Sequence, residues 1–214
     1  MPLGLASSPG FRSLSPAALR ALESRAVERR FSAGELLLAA GTRAEWFHVI
    51  EAGLVREYYL TDSGEEHTRV FVAEGGLTGS LLDLTSGAPS VTWIQALEPT
   101  RTVALRYADL DDLARRHPDI GHLARMHAEA LAVRKTLREY EMLALTARER
   151  LARWRAEHSD LDARVTRRLL ASYLGMTPVH LSRIAARRKR AERPAHEAAP
   201  TAPVKRASRG RERP

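Results

Sequence analysis

The sequence predicts an α+β chain, with short strands filling the front half and helices the back half. Three observations predict it. Between residues 35 and 107, short apolar runs are separated by repeated Gly, Pro, Asp and Ser turn signals. From Pro118 to about Leu145 nothing interrupts a helix. Residues 167–186, RRLLASYLGMTPVHLSRIAA, read as two short helices joined by a sharp turn.

Taken in order, Ser15-Pro16 opens a helix through SPAALRALESRAVERRF, placing Leu19, Leu22, Ala26 and Val27 at helical spacing. Strands are then expected at residues 35–39, 46–50, 54–60, 68–73, 91–96 and 102–107. Gly41, Ala52-Gly53, Asp62-Ser63-Gly64, Gly75-Gly76, Ser86-Gly87 and Glu98-Pro99 punctuate them. Many short strands at close, even spacing argue for a sandwich or barrel rather than a parallel sheet. The connection EGGLTGSLLDLTSGAPS is too long for a hairpin and holds a helical turn at 80–84. Backbone N–H groups at the start of that turn suit an anion or a polar group. The same glycines equally suit a plain surface loop.

Residues 109–116 form a short helix that ends before His117-Pro118, because proline disfavours a helical residue ahead of it. Along the following long helix Leu123, Met126, Ala130, Val133, Leu137, Tyr140 and Ala144 recur with spacings 3, 4, 3, 4, 3, 4. That is an a/d seam suited to a twin helix, so these seven residues are the expected dimer interface. A helix packed on its own domain would use the same stripe.

In 167–186, Leu170, Ala171 and Leu174 give the first helix an apolar face. Gly175 stands where the helix should stop, since glycine accepts the left-handed conformation of such a turn. Thr177 is placed to cap the second helix, with Pro178 at its first position. Leu181 and Ile184 point inward and small Ala171 lets the helices cross closely. This is the layout of a helix-turn-helix, whose second helix enters the DNA major groove. An ordinary αα-hairpin shares the cap and the glycine.

The formal charge of +8 is unevenly spread. Residues 1–146 carry 16 basic and 19 acidic side chains, residues 147–186 carry 8 and 4, and residues 187–214 carry 10 and 3. The basic end is therefore the helix-turn-helix end, as phosphate contact requires. The tail at 191–214 is Pro-, Ala- and Arg-rich without apolar periodicity and is expected to be disordered. It suits either salt-sensitive DNA affinity or a solvated appendage. Zero cysteines exclude disulfides and thiolate metal sites within these residues. No apolar run reaches membrane-spanning length, and MPLGLASSPG lacks the basic start of a secretory signal, so a cytoplasmic protein without a membrane partner is expected. Nucleophile elbows, phosphate loops and HExxH are missing, so the chain is not read as an enzyme.

The order of parts resembles the Crp–Fnr family of bacterial transcription regulators. The likeness covers about residues 15–190 and is carried by GTRAEWFHVIEAGLVREYY, by Gly79-Ser80 with Gly87-Ala88-Pro89-Ser90, and by VTRRLLASYLGMTPVHLSRI. It implies a cyclic-nucleotide-binding-like β-roll (double-stranded β-helix-like) sensor over 15–117 after a flexible 1–14. A dimerisation helix at 118–145 and a winged helix-turn-helix at 146–190 follow. It implies a homodimer on double-stranded DNA in transcription regulation, with RNA polymerase and an unknown small-molecule effector as further partners.

Two departures limit the transfer. Members that bind cyclic nucleotides carry Gly-Glu and then Arg-Ser or Arg-Thr, whereas this chain has Gly79-Ser80 and an arginine-free Pro89-Ser90-Val91-Thr92-Trp93. A buried cyclic phosphate there would lack its charge partner at a cost of roughly several kcal/mol, so cyclic AMP is not expected. The expected effector pocket is nonetheless Gly79, Ser80, Ser90, Val91 and Thr92. No cofactor or metal is expected, because His117, His122 and His127 sit five apart and rotate around a helix.

Arg183 matches the family's base-reading arginine, which can bond guanine O6 and N7 together. Pro178 and Val179 stand where the family often has arginine and glutamate. His180 and Val179, the latter touching a thymine methyl, complete the base-reading set. Thr166, Arg167, Thr177, Arg187 and Arg188 are expected on phosphates. The rival reading is a ligand-binding or protein-interaction module that has lost specific DNA recognition.

Overall fold

The computed structural model describes Leu5 and residues 9–191. The expected tail beyond residue 191 and half of the expected flexible 1–14 lie outside the described residues.

The first helix is α1 (Pro16–Glu23), capped by the Ser15 hydroxyl, which accepts from Ala18 N at 3.2 Å. It ends earlier than the helical spacing suggested. Residues Val27–Phe31 form a strand, β1, paired along its whole length with β8 (Thr100–Arg106). Five ladder positions outweigh the local helical preference of VERRF, a tertiary override of propensity.

The other strands are β2 (Leu36–Leu38), β3 (Trp46–Ala52), β4 (Val55–Leu60), β5 (Glu66–Val72), β6 (Leu77–Thr78) and β7 (Trp93–Ala96). They make two four-stranded antiparallel sheets, ordered β1-β8-β3-β6 and β2-β7-β4-β5. Strand β6 was not anticipated: two residues inside the long connection pair with His48 and Val49. The strand expected at 91–96 begins at Trp93, because Val91 and Thr92 belong to the turn that follows α2 (Leu81–Ser86).

Between the sheets lie Ile50, Val55, Ile94 and Ala96. A second cluster, Leu22, Val49, Val103, Leu113 and Ile120, joins α1 and the start of the long helix to the first sheet. Helix α3 (Tyr107–Arg116) leads into α4 (Pro118–Ala144), 27 residues long. Helix α5 (Ala147–Glu157) starts in a capping box, Thr146 with Glu149. The last two helices are α6 (Arg167–Tyr173) and α7 (Pro178–Ala191). Among the described residues no strand follows β8, so the helix-turn-helix is entered through a turn at 158–165 and not through a β-hairpin wing.

The third cluster crosses the parts that the sequence treats as separate. Leu54, in the β3–β4 turn, and Phe71 of β5 pack with Leu151, Trp154, Leu161, Leu169, Leu170 and Leu174 of the C-terminal region. The helix-turn-helix is docked on the β-roll. Its platform is β5, the edge of its sheet.

Candidate nucleic-acid interface

Helix α6 begins where Thr166 Oγ1 accepts from Leu169 N, and it buries Leu169, Leu170 and Ala171. Gly175 follows with φ +64°, and Met176 N reaches back to Ala171 O at 3.0 Å. Thr177 Oγ1 accepts from His180 N at 3.2 Å, capping α7 as its sequence position suggests. Leu181 is buried and Ile184 half-buried beneath α7.

The outward face of α7 carries Val179, which is 60% exposed, with His180, Ser182 and Arg183 also exposed. Thr166, Arg167 and Thr177 open to the same solvent. Neither Arg167 nor Arg183 has an ion-pair partner among the described residues, so both guanidinium groups are available for an anion. Arg187 and Arg188 lie within α7, but their side chains are outside the described residues.

Two arginines from other helices hold the turn. Arg150 Nε donates to Leu174 O at 2.8 Å, and Arg138 of α4 donates to Tyr173 O while lying 4.1 Å over the Tyr173 ring. These bonds satisfy carbonyls that a helix C-terminus leaves orphaned. Nothing in local sequence pattern marks them.

The opposite face of α6 meets the β-roll. Ser172 Oγ accepts from Thr68 N at 2.8 Å and donates to Glu66 O at 2.7 Å, closing part of the open edge of β5. Phe71 stands at 5.6 Å from the Trp154 ring and 5.5 Å from Tyr173. Burial pushes the Tyr173 hydroxyl pKa up. Arg164 Nη2 reaches Glu98 Oε1 at 2.6 Å and both its terminal nitrogens reach Glu74. Glu66 adds a link from inside the roll, since it binds buried Arg56 at 2.8 Å and lies 3.4 Å from Arg168. The Arg56 hydrogen bond holds its carboxyl below the usual range.

The loop expected to hold an effector is internally occupied. Ser80, Ser90 and Thr92 are buried; Ser90 Oγ donates to buried Asp83 at 2.6 Å and accepts from Thr92 N at 3.0 Å. Ser80 and Thr92 hydroxyls approach to 3.4 Å. Val91 points away, 58% exposed, and so does not join that set. Gly79, with φ +150° and Phe47 close against it, lines a different space.

That space is a cavity of about 870 Å³ between β5, β6, the middle of α4, and residues of α5 and α6. Of the five expected pocket residues only Gly79 borders it. Glu57, buried on β4, faces it and pairs with Arg69 at 2.7 Å while accepting from Thr78 Oγ1 at 2.8 Å.

Along α4 the seam divides. Leu123 is buried within its own chain, whereas Met126, Val133, Leu137 and Tyr140 are exposed by 49, 59, 43 and 52%, and Ala130 and Ala144 are exposed too. Among the described residues no cluster of three His, Asp or Glu could hold a metal, and no helix is long and apolar enough to cross a membrane.

Comparison with known proteins agrees with this architecture. Residues 28–117 match the cyclic nucleotide-binding domain family. The fumarate and nitrate reduction regulatory protein of Vibrio cholerae is 27% identical over 183 residues, covering 78% of this chain and 71% of that protein. The structure of FixK2 from Bradyrhizobium japonicum superposes with a TM-score of 0.68 at 22% identity, covering 78% of this chain and 85% of the other. A CooA variant from Carboxydothermus hydrogenoformans gives 0.67 at 17%, covering 89% and 84%.

Proposed function

We propose, for a chain that belongs to the Crp–Fnr family of regulators, that it binds a two-fold-symmetric DNA site as a homodimer in the bacterial cytoplasm. The chain is not an enzyme; the relatives it matches are regulatory proteins. The observation that carries the reading is the unpaired, exposed face of α7, set on a helix-turn-helix whose apolar face is packed against α5 and the β-roll. Arg183, His180 and Val179 read base edges, and Thr166, Arg167 and Thr177 hold phosphates at the groove walls. The exposed seam from Met126 to Ala144 pairs with its twin and presents two α7 helices one DNA turn apart.

Cyclic AMP does not fit the β-roll. Ser80, Ser90 and Thr92 fill the loop where a ribose and phosphate would need a carboxylate and a guanidinium, and Asp83 would repel a phosphate.

Enrichment of random duplexes on the full chain tests the reading. A palindromic motif is expected, and Arg183→Ala should bind it at least ten-fold more weakly while keeping its non-specific affinity. Recovery of no motif would favour a module that has lost DNA recognition. Unchanged operator affinity in Arg183→Ala would remove the base-reading role from that residue.

A further inference from the structure

The cavity beside α4 has a consistent chemistry. Its walls are mostly apolar: Val70 and Leu77 from the roll, Leu131 from α4, and Trp154 and Tyr173 from the C-terminal helices. A space of about 870 Å³ is ample for a metabolite-sized body.

The charges around it do not cancel. Four carboxylates border the cavity, and each is already paired within the chain. Glu57 holds Arg69, Glu74 holds Arg164, Glu141 holds Arg138 and Arg153, and Glu157 holds Arg153. Two bordering cations, Arg134 and Lys135, have no carboxylate within ion-pair distance among the described residues. They are neighbours on α4, beside Leu131. A largely apolar chamber with unspent positive charge at one wall selects an apolar body carrying an anionic group.

We propose that this cavity binds an amphipathic organic anion, its apolar part against Val70, Leu77 and Leu131 and its anionic group on Arg134 and Lys135. The proposal rests on the reading of the β-roll as a sensor and names the ligand class that it takes. The site is distinct from the loop at Ser80–Thr92, three of whose side chains are consumed by one another and by Asp83. Because Trp154 and Tyr173 form part of the wall, the occupant touches the sensor and the DNA-reading helices together. Binding is therefore coupled to the docking of α6 on β5, through contacts that differ between docked and released states.

The test uses the full chain with decanoate, decanol and decylamine as probes in isothermal titration calorimetry. Decanoate is expected to bind at least ten-fold more tightly than decanol, and decylamine not to bind. In the double variant Arg134→Ala, Lys135→Ala, decanoate should lose its advantage while decanol affinity stays unchanged. The exchange Arg134→Lys, Lys135→Arg should retain it. Both side chains are exposed, so a thermal unfolding midpoint equal to that of the parent checks that the fold survives. Equal affinity for decanoate and decanol, unchanged decanoate binding in the double variant, or no binding by any probe would overturn the proposal. Duplex enrichment without added ligand reads DNA recognition separately, so the two readings fail independently.

Discussion

Arg164, just ahead of α6, grips Glu74 of the β-roll with both terminal nitrogens, Nη1 to Oε2 and Nη2 to Oε1, each at 2.9 Å. The geometry is the planar fork that arginine alone supplies, and it sits beside the buried Phe71–Trp154 contact. Hydrogen bonding from Arg164 lowers the Glu74 pKa to about 2. A depressed carboxylate pKa contributes stability above its unfolded value and loses it as pH falls through the folded one. Arg164→Ala should cost about 1 kcal/mol at neutral pH, a figure kept small because the pair is partly solvated. Denaturant titrations should show that difference constant above about pH 5 and shrinking toward pH 2.

Ser172 makes the second prediction. Its hydroxyl is the sole side-chain bridge from α6 to the β5 backbone among the described residues, accepting from Thr68 N and donating to Glu66 O. Ser172→Ala removes both bonds and leaves a partly buried amide unpaired, at roughly 1–2 kcal/mol. Hydrogen exchange at the Thr68 amide should accelerate more than at Val70 or Val72. Equal acceleration along all of β5 would mean global loosening instead of a local latch.

These contacts explain what the sequence could and could not disclose. The helix-turn-helix was legible because its determinants are local: Ala171, Gly175, Thr177 and Leu181 act within ten residues of one another. The paired sheets were legible as short runs between turns. Strand β1 was not, because VERRF becomes extended only through pairing with β8, some seventy residues on. The docking of α6 was invisible for the same reason, since Ser172 and Glu66 are 106 residues apart. The pocket expectation followed a family position, and the side chains that now occupy it, Ser90 and Asp83, satisfy each other.

His48 supplies an acid-sensitive point in the core. It is 2% exposed, with Nδ1 3.1 Å from Thr102 Oγ1 and its ring edge-on to Phe31. Burial, helped by the Arg29 charge, lowers its pKa to about 4. The folded chain thus keeps His48 neutral while the unfolded chain protonates it at the ordinary value of about 6.5. Stability should be intact above about pH 6.5 and fall by up to about 3 kcal/mol as pH drops to 4. In His48→Asn the baseline is lower, but this slope between pH 6.5 and 4 should vanish. Persistence of the slope would assign it to carboxylates elsewhere.

The seam on α4 gives the final prediction. Val133 and Leu137 are 59% and 43% exposed in the single chain, so neither holds the monomer fold together. Buried against a twin helix, side chains of this size contribute about 1.5–3 kcal/mol each when fully covered, and a two-fold axis counts every one twice. Glutamate at both positions would instead bring like charges together across the axis. Val133→Glu, Leu137→Glu should therefore sediment as a monomer with unchanged helix content by circular dichroism. Its affinity for a palindromic duplex should fall at least hundred-fold, while affinity for a half-site stays near that of the parent, because α7 and its exposed Arg183 are untouched. A variant that still sediments as a dimer would move the interface off this seam. The apolar face of α4 would then need another occupant, since four large side chains in open water are a cost that the folded chain does not recover on its own.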